Sequence, residues 1–390
     1  MSIPKFSRWL FCAVLLIVPA WGIATSAADP EPTPWTVEVE FSPDVHAKPY
    51  TGRVYLFFSE RSPQPRSGPN WFRPEPFVSR EVKNWKPGES LTFSSAQPDK
   101  MLTFPREFAK LDLAGYRVQA VARFNPFERK IGTGPGNGFS EVKQIPSGKT
   151  AEPVHLVIKE TVAAPEFPET KWSKELVVPS KLLSDFYHDD VSLKASVMLP
   201  ASYYEEPNRR YPVIYQIPGF GGTHFVGRRD EPVQEDNKEG VEFIRVMLDP
   251  SCPLGHHVFA DSANNGPVGE ALVKELVPAL DKTYRTIPES TARFLTGHSS
   301  GGWSSLWVQV TYPDTFGGTW STAPDPVDFR DFQRINLYKA GENMYRDAED
   351  KPRPLARFNG RVLLWYRDFD HMETVLGPGG QLHSFEAVFS

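Results

Sequence analysis

Phe294-Leu295-Thr296-Gly297-His298-Ser299-Ser300-Gly301-Gly302 decides the reading of this chain. A short strand predicted over Ala292–Thr296 runs into a G-x-S-x-G turn, and a helix follows from about Gly302 to Thr311. Strand, sharp turn and helix form the context in which a serine hydroxyl stands clear of a sheet. Gly297 and Gly301 leave room for strand and helix to approach each other. The helix N-terminus adds unpaired backbone N–H groups and a dipole that favours a developing oxyanion. Ser299 is therefore the candidate nucleophile.

Upstream, Tyr211–Ile217 predicts a strand that ends in Pro218-Gly219-Phe220-Gly221-Gly222. A glycine-rich loop at this point can turn a backbone N–H toward an acyl oxygen, and Phe220 and Ser300 are the candidate oxyanion donors. No Gly-Lys-Ser/Thr follows, which excludes a phosphate loop of the Walker type. Val191–Leu199 and Val241–Leu248 predict further strands. Val268, Leu272, Val273, Leu276, Leu280 and Tyr284 share one face of a predicted helix, with a kink expected at Pro278. Arg361–Tyr366 reads as the last strand. Strands alternating with helices mean a mostly parallel sheet covered on both faces, an α/β fold.

Before this region the texture differs. Trp35–Phe41 alternates polar and apolar residues. Val54–Phe58, Leu91–Phe93, Tyr116–Phe124 and Val154–Ile158 are β-branched or aromatic runs between Pro/Gly/Ser-rich stretches, which predicts a small β-sandwich. The 38 prolines exceed the usual share of about 5% and fit strands joined by many loops. The expected organisation is a leader over 1–28, a β-sandwich over 29–160, a proline-containing linker over 161–173 and the α/β domain over 174–390. Lys5 and Arg8, the apolar run Trp9–Ala20 and the small residues Thr25–Ala28 read as a cleavable signal peptide, hence a secreted or periplasmic protein. A net charge of -5 gives no reason to expect nucleic acid or an anionic membrane as partner.

Once these pieces are assembled, residues of about 174–325 resemble the putative esterase family of the α/β-hydrolases, which includes esterase D-like, feruloyl, acetyl-xylan and catechol-siderophore esterases and mycolyl transferases. The resemblance rests on Arg210–Tyr215 with the Pro-Gly-Phe-Gly-Gly loop, Glu275–Pro278 with Tyr284-Arg285, the Ser299 turn, and Tyr312–Gly318. The N-terminal part resembles the immunoglobulin-like module of siderophore-type members. The resemblance implies a secreted serine hydrolase that cleaves carboxylic esters, small-molecule or polysaccharide-linked, through an acyl-enzyme, with no metal or organic cofactor.

The family order is serine, acid, histidine, and about 90 residues follow Ser299. In one reading they suffice: Asp370 or Asp368 is the acid and His383 or His371 the base, or the acid comes earlier, at Asp325 or Asp328. In the other, the chain stops before the family's late strand and histidine loop, leaving an esterase-like binding module without a complete triad. Acyl transfer to a sugar or lipid would use the same serine. Of the remaining residues, Cys252 is expected as a buried apolar residue, adjacent His256-His257 lack a metal-ligand spacing, Asp261–Pro267 reads as a helix cap near the sheet rim, and Trp303 and Trp307 read as core.

Overall fold

The computed structural model describes residues 35–146, 152–234 and 239–390. The leader read over 1–28 lies outside the described residues.

Among the described residues nine N-terminal strands form one hydrogen-bonded sheet. They are β1 (Thr36–Phe41), β2 (Tyr50–Ser59), β3 (Phe77–Trp85), β4 (Leu91–Ser94), β5 (Leu102–Phe104), β6 (Arg117–Ala122), β7 (Gly138–Ser140), β8 (Lys143–Gln144) and β9 (Val154–Thr161). Their order is β4-β1-β9-β7-β6-β2-β3-β5, with β8 paired to β6. Every pair is antiparallel except β1 with β9. Val78 of β3 and Phe93 of β4, near opposite ends of this path, share one apolar core, so the sheet curls on itself. The run Val54–Phe58 is apolar at every position because β2 is buried on both faces. Val54, Leu56 and Phe58 enter the inner core, while Tyr55 and Phe57 face a second cluster outside it.

The second sheet contains β10 (Ser173–Pro179), β11 (Ser192–Met198), β12 (Val213–Ile217) and β13 (Ile244–Leu248). After a two-residue hairpin of β14 (Ser251–Cys252) and β15 (Gly255–His256), it continues with β16 (Arg293–His298) and β17 (Gly318–Thr322). Its order is β10-β11-β13-β12-β16-β17. The first three strands pair antiparallel, and β13, β12, β16 and β17 run parallel. Between β10 and β11 lies helix α1 (Lys181–Tyr187), whose Ser180 accepts from the Leu183 N–H as its N-cap. α2 (Val268–Ala271) passes through a π turn, Leu272–Leu276, into α3 (Val277–Thr283). The wider π turn comes just before Pro278, which has no N–H and whose ring crowds the preceding turn. The expected kink is taken up there. α4 (Ser300–Thr311) starts at the turn itself, two residues before the expected start.

Beyond β17 the structure departs from expectation. Arg361–Tyr366 was read as a sheet strand. Instead, among the described residues, β19 (Arg361–Trp365) pairs only with β18 (Pro354–Phe358), in a separate antiparallel hairpin. Two helices follow, α5 (Tyr366–Leu376) and α6 (Gln381–Phe389). Phe369, Met372 and Val375 of α5 cover Tyr55, Phe57, Phe77 and Phe104 on the outer face of the N-terminal sheet. Burying each such side chain contributes roughly 1.5–3 kcal/mol before entropy is charged. The last carbonyls of α5 also find donors there. Arg53 donates to Thr374 and Val375 at 2.9 and 3.2 Å, Ser79 to Val375 at 2.7 Å and Tyr55 to Leu376 at 2.5 Å. Among the described residues no helix is long and apolar enough to cross a membrane.

Candidate active site

Ser299 joins β16 to α4 with φ 58° and ψ −128°, a backbone conformation that costs a non-glycine residue about 1–3 kcal/mol. Its own N–H is held by the Thr322 carbonyl of β17 at 3.1 Å, and its carbonyl accepts from Trp303 at 3.0 Å. The flanking glycines are required by contact. A Cβ on Gly297 would lie 2.0 Å from the Gly301 carbonyl oxygen, and one on Gly301 would lie 2.0 Å from the Ile217 carbonyl oxygen. Helix α4 is thus pressed against the ends of both β16 and β12. Ser299, half-buried, sits at this junction of strand and helix, the strand–turn–helix order expected of the G-x-S-x-G stretch.

The loop after β12 meets the serine. A Cβ on Gly219 would lie 3.4 Å from Ser299 Cβ and 4.0 Å from its Oγ. The loop is a tight turn, with the Gly222 N–H on the Gly219 carbonyl at 3.0 Å. Phe220, the next residue, and Ser300, the first of α4, therefore flank Ser299. His256 fixes this loop from beneath. Its Nε2 donates to the Pro218 carbonyl at 3.0 Å and its Nδ1 accepts from the Val258 N–H at 3.1 Å, the bonding of a neutral ring. Burial pushes the His256 pKa down to about 4 and that of His257 to about 3. Sequence reasoning gave His256 no role. Its partner is a backbone carbonyl 38 residues away and leaves no motif.

Asp325 lies beside Ser299. Its Oδ2 accepts from the Ser300 hydroxyl at 2.6 Å, and its Oδ1 is 3.5 Å from the Ser299 Oγ. Burial raises its pKa, against the pull of those two hydroxyls and of His298. The other acids and bases weighed from the sequence lie elsewhere. His383 Nε2 meets Asp370 Oδ1 at 3.3 Å, so that pair is brought together, and Asp370 also accepts from Tyr345 at 2.8 Å. Both sit on α5 and α6, and neither hydrogen-bonds Ser299. Asp370 is inside a helix, not past a sheet strand. His371 packs on the Phe104 ring at 5.5 Å. Asp368 is exposed in the first turn of α5, and Asp328 caps a short turn through Arg330 at 2.9 Å. Helix α6 does adjoin the site. Phe385 packs on Trp303, one turn beyond Ser299, at 5.7 Å.

Other singled-out residues have structural places. Asp261 accepts from the Gly269 N–H at 2.7 Å and caps α2. Trp303 is buried and stacks on Trp307 at 5.5 Å. Burial pushes the Cys252 thiol up to about 12, so it stays protonated. His224, not noticed in the sequence, is buried between Asp249 at 2.7 Å and Glu175 at 2.8 Å and ties the segment after the Phe220 loop to β10 and to the residue that follows β13.

Residues 190–353 match the family model described as "Putative esterase". Among solved structures, the chain is similar to a ferulic acid esterase, with 19% identity and a TM-score of 0.33 over 42% of this chain and 65% of that one. It is similar to an S-formylglutathione hydrolase from Agrobacterium tumefaciens, with 16% identity and a TM-score of 0.32 over 40% of this chain and 59% of that one. It is also similar to a ferulic acid esterase from the anaerobic fungus Anaeromyces mucronatus, with 22% identity and a TM-score of 0.30 over 43% of this chain and 63% of that one. The chain spans less than two thirds of the length of each of these proteins. With its mixed sheet of α/β-hydrolase type and its serine turn, the segment over residues 190–353 matches the putative esterase family.

Proposed function

We propose that this chain hydrolyses carboxylic esters, small-molecule or polysaccharide-linked, by way of Ser299. The observation that carries the reading is the strained backbone of Ser299 at the β16–α4 junction, with the Gly219–Phe220 turn against it. Strain of this kind persists where the surrounding packing enforces it, and its effect is to expose the hydroxyl. Ser299 Oγ bonds to the ester carbonyl carbon as its proton passes to a base. The backbone N–H groups of Phe220 and Ser300 hold the oxygen that becomes negative. The C–O bond to the alcohol then breaks, the alkoxide takes the proton, and water releases the acid from the acyl-serine.

Two groups support the part of the base. Asp325 is the carboxylate closest to the serine, and its raised pKa makes it a better proton acceptor than an ordinary aspartate. The His383–Asp370 pair has the chemistry of an oriented imidazole and would have to approach Ser299 on substrate binding. We read the N-terminal strands as an immunoglobulin-like module and the protein as secreted. The test is labelling of purified protein with a fluorophosphonate probe, together with turnover of p-nitrophenyl acetate. Labelling and turnover that vanish in Ser299→Ala are expected. Folded protein that neither labels nor turns over would refute the reading.

A further inference from the structure

A cavity of about 280 Å³ opens beside the Phe220 loop. Three parts of the chain wall it: the N-terminal segments carrying Trp71 and Arg129, Phe220 itself, and the turn between α5 and α6. Trp71 stacks on Phe220 at 5.7 Å. The Arg129 guanidinium stands over the other part of that wall, 4.9 Å from the Phe220 ring centre. Its approach depends on Gly221 (φ 91°), since a Cβ there would come within 3.2 Å of Arg129 Nη2.

Arg129 is set apart by what it lacks. Neighbouring arginines are engaged: Arg66 donates to the Gly132 carbonyl at 2.5 Å, and Arg123 to the carbonyls of Pro378 at 2.8 Å and Pro253 at 3.1 Å. Arg129 is half-buried and makes no hydrogen bond or ion pair with any described residue. A guanidinium offers five donors in a planar fork, and leaving them unpaired in a partly desolvated place is costly unless a ligand or water takes them. The acid in the same wall does not serve it. Glu373 is buried and accepts the N–H groups of Gln381, Leu382 and His383 at 2.5, 3.0 and 3.3 Å, which cap α6. Arg66 and Lys130 also line the cavity, so the side chains that line it carry a net positive charge, although the Glu128 and Asp249 carboxylates attract Arg129 from outside it.

We propose that Arg129 is the anchor of an anion subsite in the esterase centre, so that the preferred ester carries a carboxylate reaching the cavity beside Phe220. The inference rests on the ester-hydrolase reading for its link to turnover, but the subsite itself is testable without turnover. The volume is just below that of ordinary ligand pockets, roughly 300–1,000 Å³, and suits a single ring bearing the acid. The N-terminal module would then supply specificity and the α/β domain the chemistry.

The test has two arms on the full chain. The first measures benzoate against benzamide by titration calorimetry. Wild type should bind benzoate at least about tenfold more tightly. Arg129→Gln should abolish the difference and Arg129→Lys should keep part of it, as expected for a charge-assisted bond. Equal binding of the two probes to folded wild type overturns the proposal, and this comparison needs no variant. A preference that survives in folded Arg129→Gln overturns it too. The second arm compares kcat/KM for 4-acetoxybenzoate with that for its methyl ester. The ratio of acid to ester should fall at least about tenfold in Arg129→Gln. Arg129-dependent benzoate binding with no turnover of either ester would leave the subsite standing and defeat the esterase reading. Turnover of both esters at a ratio Arg129→Gln does not change would do the opposite.

Discussion

Gly301→Ala adds one methyl group where α4 crosses the end of β12. That carbon would lie 2.0 Å from the carbonyl oxygen of Ile217 and 2.8 Å from that of Pro218. Both are backbone atoms of a buried strand end, so no side chain can swing away. Contacts under 3.0 Å are not sustained, so helix and strand must part by about 1 Å. Overpacking of this kind costs about 1–3 kcal/mol. Its effect on reactivity should be larger than its effect on stability. Ile217 leads into the loop that carries Phe220, and Gly301 follows Ser300, so the gap opens between the two proposed oxyanion donors. A misplacement of about 1 Å at a reacting centre can cost roughly 10²-fold. The measurements are the second-order rate of fluorophosphonate labelling, kcat/KM for p-nitrophenyl acetate, and urea denaturation. Gly318→Ala is the control, because a Cβ there meets Phe294 at an ordinary 3.7 Å. Gly301→Ala that folds and reacts at the wild-type rate would show that the donors are not at this junction.

Three other outcomes are expected. His256 and His257 are neutral when buried, with pKa values near 4 and 3, while unfolded imidazoles titrate near ~6.5. Stability is therefore full above about pH 6.5 and is lost as pH falls, by about 2 kcal/mol per histidine at pH 5; urea midpoints equal at pH 7 and pH 5 would contradict this. Asp325 has a raised folded pKa, so the fold loses stability as pH rises from the unfolded carboxylate value through the folded one. Asp325→Asn should melt higher than wild type at pH 7 with the gain gone at pH 3, and an unchanged melting temperature at pH 7 argues against a desolvated carboxylate. The same variant and His383→Ala, assayed for kcat/KM across pH, identify the base: the one whose loss removes the acidic limb of the profile holds the proton.

The parts legible in the sequence are those with short-range causes. The Ser299 turn is spelled by glycines two residues to either side, and the structure explains them through backbone contacts at 2.0 Å. The order of β12, its glycine loop, β16 and α4 follows from apolar runs and turn residues. The region after β17 was not legible, because its partners are far away in sequence. Arg361–Trp365 has the composition of a core strand but pairs only with Pro354–Phe358. Phe369, Met372 and Val375 mark an apolar helix face, yet what they cover is β2, β3 and β5 of the N-terminal sheet. Asp325, one of four acids weighed, is singled out only by the fold, which returns the chain after β17 to the serine. Nothing local marks Arg129, whose significance is the absence of a partner.

The seam between α5 and the N-terminal sheet has a consequence for synthesis on the ribosome. Tyr55 and the Leu376 carbonyl it bonds are 321 residues apart. At about 5–20 residues per second, the first partner waits tens of seconds for the second. Throughout that interval Tyr55, Phe57, Phe77 and Phe104 offer an uncovered aromatic surface on a sheet whose inner core can already have closed. The nascent chain thus carries a sticky face for most of its translation, and a chaperone that shields it until α5 emerges should govern how much protein is recovered.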